Sequence, residues 1–369
     1  MIDNEKNRLT TSQAAVIVIN FILGSGILTL PRTSVEKVHT PDVWITVILA
    51  GFFAMLAGVI IVKLSQRFPQ TTFYQYSQEI VGKWLGIACG FLIIGYFIMT
   101  SALQVRYMAE VTSFYLLEGT PEWAIIMAFL WVSLYLVTGG MQPIARMFEI
   151  ILPITVLFFL LVSLLSLKIF EIDYLRPVLG MGIQPVFAGL RTTALSYSGF
   201  EIMLILCAFM DTPSKATKAV LVGISIPLVF YLITVVMVVG AFSIDGVVTR
   251  TWPTIDLIRS FEMTGILFER FESLLLVLWI MQIFSTFCIA YYAASFGLSQ
   301  LFGKKIRPFL YGLLPLLYLI AMTPKDLGQV FALGDMVGNA SLILFGGLPL
   351  CLLIISRWRV KRIDATSSP

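Results

Sequence analysis

The sequence predicts an all-α integral membrane protein of about ten transmembrane helices, and three observations carry that reading. Hydrophobic residues make up 58% of the 369 and charged residues only 12%, against roughly 25% charged in a soluble domain. Mean hydropathy is +0.92. The apolar residues gather into runs of about 20, the length a helix needs to cross the hydrocarbon core of a bilayer.

Apolar runs and their polar flanks place the spans at 12–31, 43–64, 84–108, 122–138, 146–167, 185–210, 217–242, 272–299, 306–323 and 334–356. The second is the clearest, since Trp44 to Val62 contains no charge, and Ile150 to Leu167 in the fifth is equally clean. The ninth, near Phe309 to Met322, is short, which calls for tilt, local thinning or a re-entrant path. With a cytoplasmic N-terminus, the inside loops collect fifteen of the 25 Lys and Arg residues, among them Lys63, Arg67, Lys83, Lys304, Lys305, Arg307 and the tail from Arg357. This bias puts both termini in the cytoplasm and requires an even number of spans. The longest loop, Ser243 to Phe271, holds Trp252-Pro253-Thr254 and an amphipathic stretch, Ile255 to Phe268, expected as a short surface helix outside the membrane. The basic tail is expected to sit against anionic headgroups.

Composition excludes several classes. The net charge of +4 is scattered in short clusters between apolar runs, so it anchors loops and does not mark a nucleic-acid surface. Cys89, Cys207, Cys288 and Cys351 all fall in apolar runs with no C-x-x-C pair, so neither a disulfide framework nor a metal site is expected. His39 is the only histidine, and no cofactor or metal is expected. There is no Ser/His/Asp set and no phosphate-binding loop, so an enzyme is not expected. The first apolar run ends in Leu30-Pro31-Arg32 without a small-residue cleavage site, which argues against a cleaved signal peptide.

Two spans carry helix-breaking sequences in matched places. Span one contains Gly24-Ser25-Gly26 and span six contains Ser196-Tyr197-Ser198-Gly199-Phe200-Glu201. Glycine costs about 1 kcal/mol against alanine inside a helix, and unwound backbone at membrane depth must line a cavity or pack in protein. Five spans per half invert the second half on the first, so the single transmembrane domain of 1–369 divides into repeats of about 12–167 and 185–356. Secondary transporters built from inverted repeats place their site at the midplane between such broken helices. The plainer reading is that these glycines only permit close helix packing.

Glu201 lies deep in span six, and an intramembrane carboxylate is a functional candidate. Two roles stay open for it, contact with a ligand and a latch that holds the break in shape. Ser285 and Thr286 sit near the centre of span eight and Tyr96 in the middle of span three. For the two hydroxyls the alternative is back-bonding to the preceding turn, and for Tyr96 aromatic packing. Arg106 with Glu110, and Arg146 with Glu149, are spaced to pair on a helix. Spans five and ten carry no central Lys, Asp or Glu, which weakens the case for a proton-driven pump.

Several motifs share an origin. Gly24-Ser25-Gly26-Ile27-Leu28-Thr29-Leu30-Pro31-Arg32 resembles the first-span signature of the spore-germination permease family, the B subunits of germinant receptors, within the amino acid–polyamine–organocation (APC) superfamily. Arg67-Phe68-Pro69 with Thr72, Tyr76, Gly82-Lys83 and Gly86 is similar to the family's loop after span two. Ser198-Gly199-Phe200-Glu201 resembles its sixth-span break, and Phe268-Glu269-Arg270-Phe271-Glu272 with Leu278-Trp279 its start of span eight. The resemblance covers nearly the whole chain. It implies a 5+5 inverted repeat of the LeuT/APC type in the inner membrane of a dormant spore. It also implies A and C receptor subunits as partners and a small germinant, amino acid or sugar, bound at the midplane. The residues expected to bind it are Gly24, Ser25, Gly26, Ile27, Tyr96, Ser198, Gly199, Phe200, Glu201, Ser285 and Thr286. The competing functions are an amino-acid transporter and a channel-forming subunit.

Overall fold

In lipid every backbone N–H and C=O must be satisfied within its own segment, so long apolar runs become helices. The computed structural model describes residues 8–260 and 271–366, and within them the chain is almost wholly helical. In order come α1 (Thr11–Val38), α2 (Val43–Gln66), α3 (Phe73–Val81), α4 (Lys83–Tyr115), α5 (Glu122–Thr138) and α6 (Met141–Ser166). Then follow α7 (Gln184–Leu195), α8 (Met203–Leu206), α9 (Ala216–Val248), α10 (Pro253–Arg259), α11 (Phe271–Phe302), α12 (Arg307–Ala321), α13 (Leu327–Ser341) and α14 (Leu348–Thr366). A π-helical turn, Leu342–Gly347, joins α13 to α14. Among the described residues seven helical stretches are long and apolar enough to cross a membrane, and the apolar α5 and α12 are shorter. The chain is a multi-pass membrane protein.

α1 runs through the middle of the bundle. Its first turn is closed by a capping box, in which Thr10 Oγ1 accepts from the Gln13 N–H at 3.2 Å and Gln13 Oε1 accepts from the Thr10 N–H at 3.1 Å. α9, α11, α7 and α6 pack around it, and α11 also packs along α4. α6 turns Ile150, Leu157, Leu160 and Leu164 outward, a face suited to lipid. Ahead of α1, Leu9 pairs with the segment after α8: its N–H donates to the Phe209 carbonyl at 2.8 Å and its carbonyl accepts from the Asp211 N–H at 2.9 Å.

The structure changes four expectations. The loop after span two contains α3, which buries Phe73, Tyr74, Tyr76 and Ile80. Thr72 and Gln75 form its capping box, and Gly82, at φ 93°, makes the turn into α4. Span seven does not end at 242; α9 continues to Val248 across a kink at Ser243 (φ 60°, ψ 173°). The stretch from Ile255 folds inward as α10, with Ile255 and Leu257 buried, because its apolar side chains meet the bundle. The stretch from 261 to Phe268, and Glu269-Arg270 of the motif that follows, lie outside the described residues. Span ten begins at Leu327, which places Asp335 inside α13, so a carboxylate does stand within that helix.

Of the expected ion pairs, Arg106 and Glu110 meet at 2.5 Å. Arg106 also reaches Glu122 of α5 at 2.6 Å and is itself buried, so the pair is a tether between helices, not a free helix end. Arg146 and Glu149 form no ion pair among the described residues; Glu149 accepts from Gln13 Nε2 at 3.5 Å.

Candidate functional site

α1 is interrupted at Gly24, whose φ of −39° and ψ of −105° lie outside the helical region. The carbonyls around this point are met by side chains from neighbouring helices. Thr286 Oγ1 donates to the Asn20 carbonyl at 3.1 Å and the Phe21 carbonyl at 3.2 Å. Gln282 Nε2 donates to the Asn20 carbonyl at 3.1 Å, and Trp279 Nε1 to that of Gly24 at 3.2 Å. Further along, Pro31 has no N–H to offer the carbonyl four residues earlier. That carbonyl belongs to Ile27, and Thr254 Oγ1 of α10 donates to it at 2.9 Å.

The second interruption separates α7 from α8. α7 ends at Leu195, Gly199 takes φ 140°, and a single 3-10 turn, Phe200–Ile202, precedes α8. At this φ, in the region side-chain-bearing residues avoid, glycine is required. A Cβ at Gly199 would also stand 2.9 Å from the Ile22 backbone nitrogen. Glu201 is fully buried and both its oxygens accept: Oε1 from the Tyr96 hydroxyl at 2.5 Å, Oε2 from the Gly199 N–H at 2.6 Å. Tyr231 of α9 reaches both interruptions, its hydroxyl donating to the Ile22 carbonyl at 2.6 Å and the Ser196 carbonyl at 3.0 Å.

Between the two lies a cavity of about 130 Å³. Of the residues expected at the site, Ser25, Gly26, Tyr96, Ser198, Glu201 and Thr286 line it. Gly24, Ile27, Gly199, Phe200 and Ser285 do not. Gly24, Gly199 and Phe200 are buried at the interruptions, Ile27 faces a separate apolar cavity beside α6, and Ser285 back-bonds to the Met281 carbonyl at 3.1 Å.

Sequence reasoning missed Thr100, Gln104 and Tyr107, which line the cavity from α4 with Tyr96. The signal was present: 96, 100, 103, 104 and 107 repeat every three or four residues, one face of a helix, and four of the five are polar or carry a hydroxyl. It also missed Asp335, because span ten was started one residue before it.

A family model described as "Spore germination protein" matches residues 8–330 of the chain. The chain belongs to the spore germination permease family. A relative, spore germination protein YndE of Bacillus subtilis (strain 168), is 55% identical over 96% of this chain and 98% of its own length. The fold resembles those of transporters. MhsT in complex with L-phenylalanine matches with a TM-score of 0.68 at 11% identity, over 93% of this chain and 97% of that one. Mhp1, a nucleobase-cation-symport-1 family transporter in a closed conformation with bromovinylhydantoin bound, matches at 0.63 and 14% identity, over 96% and 81%.

Proposed function

We propose that this permease is the nutrient-sensing membrane subunit of a spore germinant receptor, and that its cavity binds a small germinant and triggers germination. The observation that carries the reading is the polar cavity between the Gly24 and Ser196–Gly199 interruptions in a chain otherwise built for lipid. On this reading, α7 and α8 together form one broken span, which with the seven long stretches, α5 and α12 makes ten. The ten divide into a 5+5 inverted repeat with both termini cytoplasmic, in the inner membrane of the spore. A and C subunits would transmit the signal. No bond is made or broken in the ligand; differential affinity for two arrangements of the helices shifts their populations.

The test uses spores lacking the native gene and carrying Thr100→Phe, which fills the cavity from the α4 side. With protein level checked by blot, the response to one nutrient in a panel of amino acids and sugars is expected to fall at least tenfold. A normal response to every nutrient that triggers the wild type sinks the reading.

A second reading, a working amino-acid transporter, is favoured by the likeness to MhsT and Mhp1. Net accumulation of a radiolabelled amino acid in proteoliposomes supports it; binding without accumulation favours the sensor.

A further inference from the structure

A second cavity, of about 110 Å³, lies behind α6 and is walled by α1, α6, α9, α10 and α11. From α6, Phe158, Phe159 and Val162 line it, while Leu157, Leu160 and Leu164 turn outward, so one helix separates the cavity from lipid. The partly exposed Phe158, Met237 and Ile258 leave a way in at the edges of that helix. Among the described residues no charged side chain lines it, and every polar one is already bonded within the protein. Ser163, Ser166 and Thr234 each donate to a carbonyl of their own helix at 2.8 Å. Thr155 Oγ1 donates to Gln282 Oε1 at 3.1 Å. Thr254, Trp279 and Gln282 are the donors that meet the carbonyls around the α1 interruption. A buried water needs about two to four polar partners, and this lining has none to spare. Such a cavity stays dry, and an engineered one of roughly 150 Å³ binds benzene or xenon.

We propose that this cavity takes small apolar molecules from the bilayer, an aromatic ring or a short alkyl chain, and that its occupant steadies the α1 interruption from the lipid side. The volume admits about five to seven carbons, and filling a dry space gains dispersion contacts that its walls otherwise lack. The two cavities share α1 as a wall. Ser25, Gly26 and Thr29 line the polar one, and Ile27 and Leu28 line the apolar one. A rearrangement at Gly24 carries Ile27 and Leu28 with it and disturbs the bonds from Trp279 and Thr254, so it changes the shape of the apolar cavity. An occupant that fits the present shape binds the present arrangement better and shifts the population toward it. The effect on germination rests on the polar cavity being the sensing site, whereas the binding itself does not.

In the test, full-length protein in lipid nanodiscs is photolabelled with halothane, a small haloalkane that attaches to nearby aromatic side chains on irradiation. Label is expected at Trp279, saturable, and displaced by cyclopentane but not by glycerol. Val162→Phe, which fills the space from α6, should abolish it, and Thr234→Leu does the same from α9 if the first variant fails to reach the membrane. In spores, cyclopentane is expected to raise the half-maximal nutrient concentration of the wild type about threefold or more and to leave the filled variant unchanged. Labelling that grows in proportion to halothane without saturating is partition into lipid and overturns the site. Saturable labelling with a dose–response that cyclopentane does not raise, or raises equally in both proteins, overturns the coupling to α1. If labelling saturates while spores lacking the gene answer every nutrient normally, the sensor reading fails and the apolar site stands.

Discussion

Glu201 shows what a single buried side chain is asked to do. Each of its oxygens already accepts a hydrogen bond, one from Tyr96 and one from the Gly199 N–H, which are the bonds a latch needs. Glu201→Ala strands both donors in the interior, at a cost on the order of 2–4 kcal/mol for the two. Glu201→Gln keeps an oxygen for Gly199 and can donate its amide to the Tyr96 oxygen, since a phenol both gives and accepts. A thermal-unfolding series should therefore rank wild type and Gln close together and Ala well below. If Gln is as damaging as Ala, the charge itself is used and the latch account is insufficient. At Gly26 and Gly199 an added side chain meets packed protein. A Cβ at Gly26 meets the Tyr231 hydroxyl at 2.2 Å, and one at Gly199 meets the Ile22 backbone. Gly199→Ala should lose protein from the membrane by blot, a folding failure of a few kcal/mol, not a selective loss of one nutrient response.

At the scale of the helix, the interruption in α1 persists because its neighbours supply donors. The clearest instance is Pro31, whose missing N–H leaves the Ile27 carbonyl to Thr254. Thr254→Val should cost about 1–2 kcal/mol by removing that donor. In a Pro31→Ala background the helix regains its own N–H, so the same substitution should cost much less. A double-mutant cycle on thermal stability reads the difference directly, and additive effects would show that Thr254 serves some other partner. The helices themselves were legible wherever an apolar run was long and free of charge, as in α2 and α6. Elements that depend on tertiary burial were not. α3 is short and amphipathic, and its packing on α4, α14 and α11 makes it worth forming. α10 reads as a surface helix until the bundle is there to receive Ile255 and Leu257. For the site, Gly-Ser-Gly and the Ser-Gly-Phe-Glu run located both interruptions in one dimension. Which residues face the cavity depends on helix rotation, so Ser285 and Thr286, adjacent in sequence, end on different surfaces.

For the molecule as a whole, charge orients and hydrophobicity only inserts. The basic residues at the ends of α2, α4, α11 and α12 gather on the side proposed as cytoplasmic, and His39 is exposed at the opposite end of α1. In intact cells expressing a variant lacking Cys89 and Cys351, His39→Cys should react with a membrane-impermeant maleimide. Lys305→Cys should react only after permeabilisation, and the reverse pattern would invert the topology.

The pairing of Leu9 with the Phe209–Asp211 segment has a different kind of consequence. Its two hydrogen bonds run between main-chain atoms, so they survive almost any exchange of side chains at those positions. Relatives could drift freely in sequence along this strap and still fasten the start of α1 to the end of α8. A scan by alanine would pass over it, because Asp211→Ala removes nothing that the pairing uses. Proline at the same position deletes one of the two hydrogens that the pairing uses, so the strap is visible only to a substitution that edits the backbone.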